Sequence, residues 1–395
     1  MIISLKVENF YSIKDQQFFN LSVSKQAPDN FGYADSIIDR VSKLGMLVGA
    51  NASGQTNILK ALAFLQWLIL KQERQENSSL QNLYKKFFDS NKPTKLEIIF
   101  EKNNVRYEYA VVLSKEKITK ETLKQTKESN TKTGTATLFS RSFDEKKSKY
   151  TVKSNLKGLP TEIDIIQRDD ITVFGIGAIL NVPLLVELTT YWKSVGTNVP
   201  VTGWHFDSLG IVDLIELDKD KALKSKVEKV LRKYDLGLEE VFIEKAEIAP
   251  NQFSLTSSRE KHIFKGKVYE SDMADASRGT QRLIGFLRLI ISSLQNGSPV
   301  ILDELDAFLH PSIVAELVNI FLDEEQNQKN SQLIFSSHSH AVMNTLDKYQ
   351  IFIAEKNEEG STELTRLDTF GADVRNDENF YTRYISGYYG GVPKL

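Results

Sequence analysis

The residues Gly49-Ala50-Asn51-Ala52-Ser53-Gly54-Gln55-Thr56-Asn57 combine types and spacing that could do chemistry. Two glycines bound a short loop, and a hydroxyl follows the second. This fits the phosphate-cradling pattern G-x-x-x-x-G-K-[ST], in which backbone N–H groups hold phosphate oxygens and the hydroxyl meets Mg²⁺. Asn51, Ala52, Ser53, Gly54, Gln55, Thr56 and Asn57 are therefore candidate nucleotide-binding residues. The departure is Gln55, which stands where the pattern has lysine. Downstream, Val300-Ile301-Leu302 runs into Asp303 and Glu304. Carboxylates directly after a buried apolar run are costly without a partner or ligand. Beside a phosphate loop, Asp303 is expected to share Mg²⁺ with Thr56, and Glu304 to act as general base on the attacking water. Ser336-Ser337-His338 ends another apolar run, and His338 thus falls at the strand end where α/β sheets bind ligands. Ser277-Arg278-Gly279-Thr280 precedes an amphipathic helix. Ser277 reads as its N-cap, and the same helix start offers an anion site.

The elements that must position these groups follow from hydrophobic periodicity. A strand at Gly45–Val48 enters the loop, and a helix with apolar residues on more than one face leaves it (Ile58, Leu59, Leu62, Leu65, Leu68). Alternating residues predict an N-terminal hairpin over 2–23 and a second hairpin over 95–113 that turns at Asn103-Asn104. Lys115–Lys157 is rich in lysine, threonine and serine, with short strands expected at 136–140 and 149–152; a solvated edge is the simpler reading and nucleic-acid contact the sharper one. Residues 171–245 turn helical, and Leu223–Leu231 sets apolar residues on one face and lysines around the other. Strands return at 241–248, 252–256 and 262–269. A last hairpin is expected at 351–353 and 363–367. The domains expected are an N-terminal lobe with the loop over 1–94, a β-subdomain over 95–170, a mainly helical insertion over 171–270 and a C-terminal lobe over 271–395.

Composition narrows the function classes. The chain has 395 residues, 41% of them hydrophobic, enough for a large core. Fifty basic against 52 acidic residues leave a net charge of −2, so total charge draws it to neither nucleic acid nor membrane. There is no cysteine, which excludes disulfides and thiolate metal sites. The five histidines show no metal-ligand spacing. No apolar run reaches the ~18 residues of a membrane span, and the cytoplasm is the expected compartment.

The order of features is more specific than any one of them. Phosphate loop, serine-glycine helix start, apolar strand into Asp-Glu, and strand into Ser-Ser-His together resemble ABC-type ATPase heads. The stretches LKVENFYSIKD, GANASGQTNILKAL, ILDELDAFLHP, LIFSSHSH and RYISGYYGGVPKL resemble the OLD-like ATPases of bacterial anti-phage, restriction-linked operons. The resemblance implies an α/β fold of P-loop NTPase type, with a mixed central sheet, an antiparallel β-subdomain and a helical insertion. It implies ATP and Mg²⁺ as cofactors and a homodimer or higher oligomer. Ser277, Gly279 and Thr280 of one subunit would then act in trans on the nucleotide of the other, and His338 would sense the γ-phosphate. It also implies a separately encoded effector, such as a nuclease, because the segment after His340 is too short for the fused nuclease domain of larger members. Nucleic acid stays open as a partner, and no membrane is expected. Two departures stand out. Gln55 offers no charge to the phosphates, so hydrolysis is expected to be weakened more than binding. The family's glutamine, sought near Phe174–Pro183, is missing. A nucleotide-sensing scaffold without turnover and a DNA-repair-type ATPase head are the alternatives.

Overall fold

The computed structural model describes residues 1–71, 84–88, 90–114, 117–129, 132–162, 164–201, 211–234, 237–249, 252–371, 374–375 and 378–393. The last two residues of the tail motif, Lys394 and Leu395, lie outside the described residues.

The core of the site is a six-stranded sheet. Five strands run parallel in the order Gly196–Thr197, Val300–Leu302, Leu333–Ser336, Leu44–Val48 and Ile351–Lys356, and Thr362–Arg366 closes the edge antiparallel. The central strands are nearly continuous apolar runs because both faces are covered, as parallel sheets require. Leu47, Ile301, Ile334 and Phe352 face one hydrophobic cluster, while Met46, Val48, Leu302 and Phe335 face the other. The first cluster holds the helix Gln55–Leu70; the second holds the helices Arg278–Asn296 and Pro311–Leu322. The last hairpin is thus part of the central sheet, pairing on the far side of the loop strand.

A second sheet of seven antiparallel strands covers the first cluster. It contains the N-terminal hairpin, Ile2–Glu8 with Gln17–Asn20, and the second hairpin, Thr94–Lys102 with Val105–Ser114. Asn103 and Asn104 both have positive φ (51° and 54°), which gives the twist that a two-residue hairpin turn needs. Ile2–Glu8 pairs directly with Thr94–Lys102, so one sheet runs across the 94/95 division. Lys117–Ser129, Lys132–Asp144 and Lys149–Ser154 extend it.

Within 171–270 the helices Val173–Ile179 and Pro183–Lys193 belong to the first cluster, packed on the helix Gln55–Leu70. The helices Ile211–Lys219 and Lys221–Tyr234 belong to the second. A three-stranded antiparallel sheet follows, Leu238–Ala249, Gln252–Phe264 and Lys267–Asp272. Among the described residues no single helix is long and apolar enough to cross a membrane.

Candidate functional site

The site gathers at the carboxyl ends of three adjacent parallel strands. Leu44–Val48 delivers the phosphate loop, Leu333–Ser336 delivers Ser336 and His338, and Val300–Leu302 delivers Asp303 and Glu304. Their parallel direction puts every such end on one edge, which is where ligands bind in parallel α/β sheets.

The loop's two glycines are required by geometry. A Cβ on Gly49 would lie 2.3 Å from the Ala354 carbonyl oxygen, and one on Gly54 would lie 2.1 Å from Thr362 Oγ1. Gly54 also has φ of 111°, which disfavours any other residue. The loop is braced from behind. Thr362 Oγ1 donates to the Ser53 carbonyl (2.7 Å), and Asn57 Nδ2 donates to Ser12 Oγ (2.6 Å) in the turn of the N-terminal hairpin. The side chain of Asn57 therefore supports the loop. Asn51 and Ala52 are exposed on it, and Ala52 holds a positive φ of 64°. That conformation costs roughly 1 kcal/mol in a non-glycine residue, a cost the bracing must offset.

Inside the loop, polar groups await partners. The Ser53 hydroxyl is buried and makes no hydrogen bond. Gln55 and Thr56 open the helix, so their N–H groups lack carbonyls a turn earlier. Such a cradle of donors at a helix start suits a phosphate. Gln55 is buried, and its side-chain amide turns inward, donating to the Gly49 carbonyl at 2.8 Å. The residue in the lysine position thus staples the loop to itself.

Thr56 Oγ1 donates to Asp303 Oδ1 at 3.1 Å, across 247 positions of sequence. Ser336 Oγ donates to the same oxygen at 2.5 Å. A hydroxyl and a carboxylate in contact are the hard oxygen donors Mg²⁺ takes in phosphate sites, where substrate oxygens and water complete the shell. Thr56 and Asp303 fit that ion and would hold it; when bound, it neutralises charge on the phosphates. Glu304 follows with a φ of 51° and its N–H on Ser336 Oγ (2.8 Å), its carboxylate exposed to solvent. Strained backbone held by a specific hydrogen bond is typical of a residue that must aim at something.

Three residues that sequence reasoning did not single out complete the arrangement. Ser336 links Asp303 to Glu304. Asn198, directly after Gly196–Thr197, clamps Asp303 from both sides: its Oδ1 accepts from the Asp303 N–H (2.7 Å) and its Nδ2 donates to the Asp303 carbonyl (2.9 Å). Asp306 Oδ1 accepts the His338 N–H at 3.0 Å, tying the histidine's backbone to the turn after the carboxylates. Ser336 and Asp306 lay inside recognised motifs; Asn198 carries no signal in one sequence. The segment 174–183, where a glutamine was sought, sits elsewhere. A Cβ on Gly175 would meet the Lys71 carbonyl, at the far end of a 16-residue helix about 24 Å long.

Ser277, Gly279 and Thr280 lie apart from the loop. Ser277 Oγ accepts from the Thr280 N–H (3.0 Å), capping Arg278–Asn296 as expected. They line a cleft of about 440 Å³ with Glu260, His262, Phe308 and His310 and with no residue of Gly49–Asn57. A Cβ on Gly279 would lie 2.8 Å from the Phe308 carbonyl oxygen, so this helix start packs on the turn that follows Glu304.

Comparisons with known proteins agree with this geometry. At the level of fold, the chain is similar to an SMC head bound to the C-winged helix domain of ScpA, with 15% identity, a TM-score of 0.50, and coverage of 93% of this chain and 98% of that one. It is also similar to an SMC head domain from Thermotoga maritima (14% identity, TM-score 0.41, 93% and 99% covered). A third is an Smc head domain with an extended coiled coil, bound to the C-terminal domain of ScpA and derived from Pyrococcus furiosus (13% identity, TM-score 0.48, 93% and 96% covered). The first of these, at a TM-score of 0.50, agrees with a mixed α/β fold built on a central sheet. No curated protein matches the chain. A family model described as "AAA domain, putative AbiEii toxin, Type IV TA system" matches residues 46–158 and 192–344. Those segments hold the phosphate loop, Asn198, Ser277, Asp303, Glu304 and His338, and they make up more than half of the sequence; the chain belongs to this family of AAA-type ATPases.

Proposed function

We propose that this chain is a Mg²⁺-dependent ATP-binding head that closes as a homodimer around nucleotide and controls a separately encoded effector. The observation that carries the reading is the contact between Thr56 and Asp303 beside a braced loop with a free, buried serine hydroxyl. In this reading the N–H groups of the loop hold the phosphates. Thr56 and Asp303 hold Mg²⁺. Glu304 takes a proton from water, and His338 contacts the γ-phosphate.

Ser277, Gly279 and Thr280 line a cleft that holds no residue of their own chain's loop, which supports a role toward a second subunit. A donor-rich helix start facing outward suits the phosphate of a second subunit. The effector link rests on the family description, which ties these domains to toxin–antitoxin systems; an anti-phage role, an OLD-like affiliation, a nuclease effector and cytoplasmic residence belong to the same proposal. Titration calorimetry with ATP tests the nucleotide site. Binding that needs Mg²⁺ and is lost in Asp303→Asn supports it, and binding indifferent to both refutes it.

A second reading is a nucleotide-sensing scaffold without turnover. The bond from Gln55 to Gly49 favours it, since the residue best placed to meet the phosphates is neutral and engaged within the loop. Binding without phosphate release would select it. A DNA-repair-type head is compatible with the fold and would show salt-sensitive DNA binding.

A further inference from the structure

The sheet before the helix Arg278–Asn296 ends in a hairpin whose apolar side chains the body of the protein leaves uncovered. Gln252–Phe264 and Lys267–Asp272 pair with Ile263 opposite Val268 and His262 opposite Tyr269. Strand alternation then puts Phe264 and Tyr269 on one face and Ile263 and Val268 on the other. All four are exposed, at 61%, 52%, 42% and 55%. Lys267–Asp272 has only one neighbour among the described strands, which leaves a bare edge. Apolar side chains on both faces of an exposed edge hairpin mark a surface that becomes covered, because an uncovered one invites aggregation.

Two observations identify the cover. Glu260 and His262, at the base of this hairpin, line the same cleft as Ser277, Gly279 and Thr280. Whatever closes over that cleft must meet the hairpin. The tip also carries Lys265 and Lys267, with no acidic residue between Lys261 and Tyr269. A complementary edge exists on this same chain, beside the phosphate loop. There the turn joining Ile351–Lys356 to Thr362–Arg366 and the N-terminal hairpin turn meet through the Lys14 N–H and Ser361 Oγ (3.0 Å). Asp15, Glu358 and Glu359 on those turns outnumber Lys14, which itself pairs with Glu359.

We propose that the hairpin spanning Lys261–Tyr269 is a docking arm for a second copy of this chain, its basic tip meeting the acidic edge beside the partner's phosphate loop. This rests on the nucleotide-closed homodimer proposed above and assigns part of its surface. Two-faced apolar exposure argues for a protein cover over nucleic acid, which would use the lysines and one aromatic face only.

The test is dimerisation of the full chain carrying Glu304→Gln, with Mg-ATP, followed by sedimentation velocity. Phe264→Glu/Tyr269→Glu is expected to weaken the dimer at least 10-fold. Lys265→Glu/Lys267→Glu is expected to weaken it too, with a smaller salt dependence than the parent. Both variants should keep the parent's melting temperature without nucleotide and, at concentrations where the chain is monomeric, its affinity for a fluorescent ATP analogue, since the substituted side chains are exposed. If the parent dimerises and both variants dimerise equally well, the docking arm is wrong while the dimer stands. If the parent stays monomeric with bound ATP, both the dimer and the arm are wrong. Loss of oligothymidylate binding in the variants, with dimerisation unchanged, would assign the hairpin to nucleic acid and overturn the proposal.

Discussion

Gln55→Lys is the substitution whose outcome is most closely fixed by the structure. The native amide donates to the Gly49 carbonyl and brings no charge. A lysine there would place an ammonium on the phosphates. Charge-assisted hydrogen bonds contribute about 1.5–3 kcal/mol net against about 1 for neutral ones, so ATP should bind tighter by about 0.5–2 kcal/mol. That is about a 2- to 30-fold fall in dissociation constant. The effect on turnover should be larger, because charge grows on the phosphoryl oxygens in the transition state. A single donor aimed at such charge is worth about 10²–10³ in rate, and upgrading a neutral donor to a cation should recover about 10- to 100-fold of it. The opposite sign applies without nucleotide. The loop would lose a buried hydrogen bond worth about 1 kcal/mol, and the empty protein should melt about 1–2 °C lower. Binding is read with a fluorescent ATP analogue, turnover by phosphate release at saturating Mg-ATP, and melting by calorimetry. If affinity and turnover stay within 2-fold of the parent, Gln55 does not face the phosphates. If neither form turns over ATP with Glu304 intact, the chain is a binding scaffold and the catalytic assignment fails.

Other outcomes follow from neighbouring geometry. Glu304→Gln removes the base while keeping the shape, so an ATP-dependent dimer should accumulate; light scattering that shows a monomer with ATP bound would contradict it. Asn198→Ala removes both hydrogen bonds to the Asp303 backbone, and ATP turnover should fall about 10-fold or more for about 2 kcal/mol of lost positioning; turnover equal to the parent would show that the clamp is dispensable. In the β-sheet, fully buried Arg141 pairs with fully buried Glu121, whose carboxylate also accepts the Val173 N–H. Arg141→Met should destabilise by about 3–5 kcal/mol, since it strands a buried charge. Burial already holds the Glu121 carboxyl above the usual carboxylate range, against the pull of Arg141. The folded state therefore takes up that proton more readily than the unfolded chain, so stability from this group is full below the unfolded value and is lost as pH rises through the folded one. The Arg141→Met deficit should accordingly shrink as pH falls, because the stranded carboxylate then takes up its proton, and a pH-independent deficit would refute the account.

Much of this site was legible because its parts are local. The loop, the Asp-Glu strand end and the Ser-Ser-His strand end each show their chemistry within about ten residues, and hydrophobic runs place each at the end of a strand. The hairpin at Asn103-Asn104 was legible for the same reason, since two residues that tolerate positive φ between alternating strands specify one turn. What stayed hidden is long-range. Asn198 becomes a site residue only because Gly196–Thr197 pairs with Val300–Leu302, a contact no local pattern announces. The two sheets share one hydrophobic cluster, and strand Ile2–Glu8 pairs with Thr94–Lys102, about ninety residues on, so division of the chain by composition could not reveal its layers. Helix packing likewise decides where Gly175 sits, beside the Lys71 carbonyl at the far end of the helix after the loop, and no local pattern shows that.

The central claim is that nucleotide is held between two copies, loop of one against signature of the other. The natural absence of cysteine makes a direct measurement simple. Asn51→Cys in one preparation and Arg278→Cys in another place single thiols on the exposed loop and beside Ser277. The two are mixed and treated with a short bismaleimide. Closure in trans predicts a covalent heterodimer that forms with Mg-ATP and not without it. A mixture that stays uncrosslinked with nucleotide bound, or that crosslinks equally with and without it, would contradict the claim.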